Sequence, residues 1–149
     1  MAGYNVNKRI FQIFELEQIK NYKLSGFEEH DILLPKLLAI ELNKRFGVSK
    51  NIDDTTYSIT LEFSSVTGQF IMRNFWHNSQ TFKEQNGKII MQLECGINRE
   101  LIGWLYMWMY NVRIVEPPIL KEYYTKALKK ITQVNNEIQP LVYQNLFNR

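Results

Sequence analysis

The sequence predicts an α+β fold: a βαββαβ sandwich over its second two-thirds, followed by a long C-terminal helix. Three observations carry this. Tyr57, Ile59, Leu61 and Phe63 alternate with Ser58, Thr60 and Glu62, the period of a strand with one buried face. Asn86-Gly87 stands between two β-rich runs, and both residues tolerate the positive φ that a tight hairpin turn needs. Leu101, Ile102, Leu105, Trp108 and Met109 recur at helical spacing behind Asn98, a good capping residue.

Taken in order, Lys8 to Leu16 reads as a strand, since Phe11 and Ile13 alternate with Gln12 in a β-branched and aromatic setting. A second short strand is expected around Lys20 to Leu24, broken by Ser25-Gly26. Pro35 opens a helix to about Phe46, with Leu37, Leu38, Ile40 (or Glu41) and Leu42 at helical spacing. Lys44 and Arg45 suit its last turn and Gly47 its C-cap. Val48 to Thr55 is polar and aperiodic, and the domain boundary is placed there: residues 1–48, then 55–149.

After the Tyr57–Phe63 strand, Ser64 or Ser65 can cap a helix from Val66 to about Asn74, with Val66, Phe70 and Ile71 inward. Thr81–Gln85 and Lys88–Cys95 form the hairpin about Asn86-Gly87. The helix capped by Asn98 follows, then a short strand from Val112 to Glu116. Pro117-Pro118 starts the last helix, with Leu120, Tyr124, Leu128 (or Ala127) and Ile131 on its inner stripe, and Pro140 ends or kinks it. This order is the ferredoxin-like split arrangement, an antiparallel four-stranded sheet with two helices on one face and right-handed crossovers.

Composition narrows the function. The chain has 149 residues, 45% hydrophobic and 13% aromatic, enough for a core and an adhesive surface. A net charge of +3 permits an anionic ligand without requiring one. Cys95 is the only cysteine, so no intrachain disulfide forms, and a reduced cytoplasmic setting is expected. No signal peptide is visible. The most apolar run, Leu101 to Met109, is far short of the roughly 20 residues that cross a bilayer, so no membrane role is expected.

Catalysis needs a nucleophile, a base and an orienting group, and no such convergence is visible. His30 and His77 are distant in sequence, and Asp31 beside His30 would face the other way on a strand. Two histidines and one cysteine without close spacing match no zinc pattern. The expectation is a non-enzyme with neither metal nor cofactor.

His77 lies between Trp76 and Asn78-Ser79-Gln80, near Arg73. It is either a half-buried strand residue or part of a polar edge for phosphates and bases. In the second case Trp76 is a stacking face, with Ser79 and Gln80 in the same edge, and stacking is worth roughly 1–3 kcal/mol per base. Arg73, Lys83 and Lys88 could add charge but are too scattered for a patch. Trp104, Tyr106 and Tyr110 are expected on the helix flanks, where exposed rings usually mean a protein interface. Leu146 and Phe147, in the apolar tail beyond Pro140, are expected to dock onto their own domain or onto a partner chain. Lys126, Lys129 and Lys130 read as a solvated helix face.

Several stretches resemble WYL-domain transcriptional regulators. Residues 70–80 (FIMRNFWHNSQ) resemble the helix end and W-H-x-S-Q strand entry of the family's C-terminal extension. Residues 98–105 (NRELIGWL) resemble its second helix. Residues 112–117 (VRIVEP) with Leu120 resemble its closing V-x-V-x-x-P-x-x-L pattern. Together these span about Thr55 to Ile131. Upstream, residues 13–19 (IFELEQI) and Phe46-Gly47-Val48 resemble the end of the WYL domain itself, a partial Sm-like barrel segment. The family's two arginines there fall at Gln12 and Gln18, so Lys8 and Arg9 would have to replace their ligand contacts.

The resemblance implies effector sensing and dimerisation in a bacterial transcription factor. Its partners would be a second copy of the chain and a single-stranded nucleic acid or nucleotide effector. Operator DNA would be reached only through an N-terminal winged helix, which with the Trp-Tyr-Leu motif would lie upstream of residue 1. The alternative is a purely structural dimerisation module without a ligand.

Overall fold

The computed structural model describes residues 2–5, 7–13, 19–23 and 33–136. Strands β1 (Ala2–Asn5) and β2 (Ile10–Ile13) form a two-stranded antiparallel hairpin, with Tyr4 opposite Phe11. The sequence indicated β2 but not β1. A four-residue segment gives too few alternations to stand out, and its partner strand supplies the order. Residues 20–23 are not a strand, contrary to expectation. Helix α1 (Leu33–Asn43) is shifted towards the N-terminus relative to the expected Pro35–Phe46.

The remaining elements are β3 (Tyr57–Phe63), α2 (Ser65–Met72), β4 (Thr81–Gln85), β5 (Lys88–Cys95), α3 (Arg99–Met107), a short 3-10 turn (Met109–Asn111), β6 (Val112–Glu116) and α4 (Pro118–Asn136). The larger sheet runs β4-β5-β3-β6, antiparallel throughout. This is the ferredoxin-like α+β arrangement with a C-terminal helix. The hairpin turn sits at Asn86-Gly87, with φ of 52° and 71°. Val115 bulges out of β6, so that Leu61 faces Ile114 while Thr60 faces Glu116.

One face of this sheet makes the core. Ile59, Leu61 and Phe63 from β3, Ile89, Met91, Leu93 and Cys95 from β5, and Ile114 from β6 meet Ile71 of α2 and Leu101, Ile102 and Leu105 of α3. Alternation places these residues on one side, and burying each such side chain contributes roughly 1.5–3 kcal/mol. α2 lies so close to β5 that a Cβ on Gly68 would stand 2.4 Å from Ile89 Cβ.

The expected inner faces need three corrections. Val66 is 85% exposed and Phe70 half-exposed, because Gly68 and Ile71 form the contact stripe of α2. Met109 is exposed because α3 stops at Met107 and the chain tightens into the 3-10 turn, rotating Met109 off the helical stripe. On α4 the buried positions are Leu120 and Ala127, while Leu128 and Ile131 face outward.

Candidate functional site

The chain after α1 is bonded into the four-stranded domain. Phe46 is buried and packs on Trp104, ring centroids 5.1 Å apart. The Gly96 N–H donates to Lys44 O at 2.8 Å, and the Ile52 N–H to Ile97 O at 2.9 Å. These bonds run the segment alongside the β5–α3 connection, with a parallel bridge between Arg45 and Gly96. The polar stretch expected to hold the domain boundary is thus itself bonded to the β5–α3 connection.

Two side chains at the start of α3 hold this segment. Asn98 is fully buried, and its Oδ1 accepts from the Leu101 N–H at 3.0 Å, capping α3 as expected. Its Nδ2 donates to Phe46 O (3.0 Å), Ser49 O (3.2 Å) and Asn51 Oδ1 (3.1 Å). Glu100 lies two residues further on, in the first turn of α3, and its carboxylate accepts from the backbone N–H groups of Val48 and Ser49 and from the Ser49 hydroxyl. Sequence showed Asn98 only as a cap and did not single out Glu100, because their partners lie about fifty residues upstream.

The α2–β4 connection holds the end of α1. His77 is only 6% exposed. Its Nε2 lies 3.0 Å from Asn43 O, and its Nδ1 accepts from the Ser79 N–H at 3.2 Å and faces Ser79 Oγ at 2.8 Å. A backbone carbonyl can only accept and a backbone N–H can only donate. The ring is thus fixed as the tautomer carrying its proton on Nε2. Asn78 adds a bond from its side-chain amide to Asn43 Oδ1. Ser79 Oγ accepts from the Glu94 N–H at 2.7 Å, tying the connection to β5.

These bonds account for most of the expected ligand edge. Gln80 Oε1 accepts from the N–H groups of Trp76 and His77, and its amide donates to Asn74 O. Trp76 donates from Nε1 to Ile71 O and packs against Trp104 and Trp108. Trp76, His77, Ser79 and Gln80 are brought together, but their polar atoms are spent inside the domain. Arg73 is exposed at the end of α2. Lys8 and Arg9 lie in the exposed β1–β2 turn, where the Lys8 N–H donates to Asn5 Oδ1. Among the described residues, no hydrogen bond or ion pair joins them to the Trp76–Gln80 group.

The expected interface residues divide in the same way. Trp104 is 6% exposed and belongs to the core, a correction: it fills the centre of a ring cluster with Phe46, Phe63, Trp76 and Trp108. The indole N–H groups of Trp104 and Trp108 are buried without a polar partner, and the steep ring contacts around them offer only weak π acceptors. Tyr106 is half-buried, and its hydroxyl donates to Tyr124 O at 2.6 Å. Burial pushes this phenol up to about 12. Tyr110 is 91% exposed beside exposed Met109. Ser64 bonds Asn111 through backbone and side chain, bringing the start of α2 to this corner. Leu146 and Phe147 lie outside the described residues.

Two surfaces could meet an anion. A cleft of about 220 Å³ is lined by Lys44, Arg45 and Lys50 together with Glu41, Asn51, Asp53 and Asp54. Glu41 pairs with Arg45 at 3.0 Å, and Asp53 accepts from the Thr55 N–H and the Tyr57 hydroxyl. The second is the open face of the sheet, where Glu62 bridges Lys88 and Arg113 at 2.8 and 2.6 Å. The strand residues exposed there include Thr81, Lys83, Gln92 and Arg113 but no aromatic ring, so this face lacks a base-stacking platform.

The family model of the WCX domain matches residues 55–132, more than half of the chain and the whole ferredoxin-like unit through most of α4. The chain belongs to the WCX domain family. WCX is the C-terminal domain of WYL regulators, which agrees with the resemblance carried by residues 70–80, 98–105 and 112–120. No curated protein matches the sequence significantly. The match begins at Thr55, whereas the bonded unit described above already includes Phe46. Among the described residues of this WCX chain, no cluster of His, Cys, Asp or Glu could hold a metal ion, and no helix is long and apolar enough to cross a membrane.

Proposed function

We propose that this chain is the effector-responsive and dimerisation region of a cytoplasmic bacterial WYL-type regulator, answering to a single-stranded nucleic acid or a nucleotide. The observation that carries the proposal is the double clamp on the end of α1. His77 holds Asn43, and Asn98 with Glu100 holds residues 46–51, so a shift of α1 must be felt at the start of α3. Such a joint suits a relay between a preceding domain, here the end of a WYL domain, and a WCX domain. Effector charge would be met at Lys44, Arg45 and Lys50 rather than at Trp76, His77, Ser79 and Gln80, whose polar groups are engaged.

Fluorescence anisotropy with single-stranded DNA and RNA across a salt series tests the ligand. Affinity should fall linearly on a log–log plot as phosphate contacts release counterions. Absence of binding at low salt rejects a nucleic-acid effector. A second reading, a dimerisation module without ligand, is favoured by the exposed corner of Val66, Phe70, Met109 and Tyr110. Light scattering on the wild type and on a Phe70→Asp/Tyr110→Asp variant separates the two. If anisotropy is flat while the variant turns a dimer into a monomer, the structural module is correct.

A further inference from the structure

Three donors of the loop after α1 converge on one carboxylate. The Ser49 N–H and hydroxyl reach Glu100 Oε1 at 2.7 and 2.6 Å, and the Val48 N–H spans both oxygens at 3.2 and 3.1 Å. Successive backbone N–H groups aimed into one concavity carry a fixed positive partial charge and are a recurring cradle for phosphate. Gly47 provides the bend, with φ of 71°, and a Cβ there would stand 1.7 Å from Glu100 Oε2. The backbone therefore closes against the anion with no side chain between them.

Glu100 has no ion-paired cation among the described residues, so the cradle itself carries the charge. Gly47 and Val48 are exposed, leaving the cradle open to solvent. In sequence it is flanked by Lys44, Arg45 and Lys50, the cations of the neighbouring cleft.

We propose that the Gly47–Ser49 loop is a phosphate-binding site that Glu100 keeps occupied, and that an incoming phosphate group takes over its donors and frees the loop from Glu100. A phosphate offers three oxygens to three donors and carries more charge than the carboxylate it replaces, so it gains more from the fixed positive charge of the cradle. Displacement would remove one of the two side-chain ties between the loop and α3, leaving Asn98 alone. This rests on the anionic-effector reading and names the group recognised, whether free phosphate or a phosphate on a nucleotide or an oligonucleotide end.

The test follows the Val48 and Ser49 amide resonances of the full chain. Inorganic phosphate is titrated at constant ionic strength against chloride, followed by oligonucleotides with and without a 5′-phosphate. Removing the internal competitor should tighten phosphate binding, by roughly ten-fold if the cradle is open about a tenth of the time. Glu100→Ala makes this change, and Glu100→Gln, which keeps the shape without the charge, gives the same readout should the alanine variant fail to fold. Ser49→Ala should weaken binding several-fold. Movement with inorganic phosphate alone assigns the site to free phosphate, and movement only with the 5′-phosphorylated oligonucleotide assigns it to a strand end. The proposal is overturned if these amides move no more with phosphate than with chloride and Glu100→Gln leaves that unchanged. Oligonucleotide binding that ignores the 5′-phosphate and leaves Val48 and Ser49 unmoved also overturns it, while leaving the effector reading intact.

Discussion

Asn98 is the residue whose replacement should most damage the joint, and two substitutions separate its two tasks. Asn98→Ala removes the cap on the Leu101 N–H, worth roughly 1 kcal/mol. It also strips the buried Phe46 carbonyl of its donor, and an unsatisfied buried group costs roughly 1–3 kcal/mol. The loss should be about 2–4 kcal/mol, a fall in urea midpoint of roughly 1–3 M for a protein of this size. Asn98→Asp keeps the capping oxygen but turns the amide donor into an acceptor facing Phe46 O, Ser49 O and Asn51 Oδ1. Asp caps helices about as well as Asn, so a residue that only capped would tolerate this change. The structure instead expects Asn98→Asp to be at least as destabilising as Asn98→Ala. Tryptophan fluorescence in urea reads both, since Trp76, Trp104 and Trp108 share the ring cluster beneath the joint. An Asn98→Asp midpoint within about 0.3 M of wild type, with an unchanged slope, refutes the clamp.

Further outcomes follow from the same packing. Cys95 is buried and its thiol is pushed up to about 12 by desolvation, so a disulfide reagent at neutral pH should label it only at the rate at which the fold opens, and at once in denaturant. Gly68→Ala should cost roughly 1–3 kcal/mol by thermal melting, because its new methyl meets Ile89. The Glu62 carboxyl is held below its ordinary 4.5 by the hydrogen bond from Lys88, against a smaller opposing effect of burial and with help from Arg113. Its contribution is therefore present above pH 4.5 and lost as pH falls through the folded value. The stability gap between wild type and Glu62→Gln should be small, since both cations are exposed, and should close on acidification in a melting series. A chain starting at Thr55 should unfold at lower urea than the full chain, having lost Phe46 from the core and the partners of Asn98.

The four-stranded unit was legible because its signals are local and periodic. Alternation in residues 57–63, the Asn-Gly turn and the Asn98 cap each involve neighbours only a few positions apart. What failed was the assignment of helix faces. α2 is eight residues long, and Gly68 turns its contact stripe in a way that apolarity alone does not reveal, so Val66 and Phe70 looked inward. Trp104 was misplaced because Leu101, Leu105 and Trp108 already supply one inner stripe, which left Trp104 for the flank beside Trp108. The ring cluster accommodates both, an arrangement only the tertiary packing determines.

The joint was nearly invisible in sequence for a physical reason that also bears on its role. Residues 44–53 have no apolar period, since they are held by backbone groups bonded to a few distant side chains rather than by a buried face. Among these residues only Phe46 is buried as a large apolar group, with Ile52 partly buried against the core. A segment fixed by hydrogen bonds to Asn98, Glu100 and Gly96 can change state by exchanging partners, whereas one fixed by burial would have to expose a face to water first. Exchange at Glu100 exposes no core because Val48 is already at the surface, while Asn98 and Phe46 stay buried and keep the chain in place. The α1 connection thus pairs a permanent anchor with a replaceable one, and the replaceable anchor is the one whose partner is a charged oxygen.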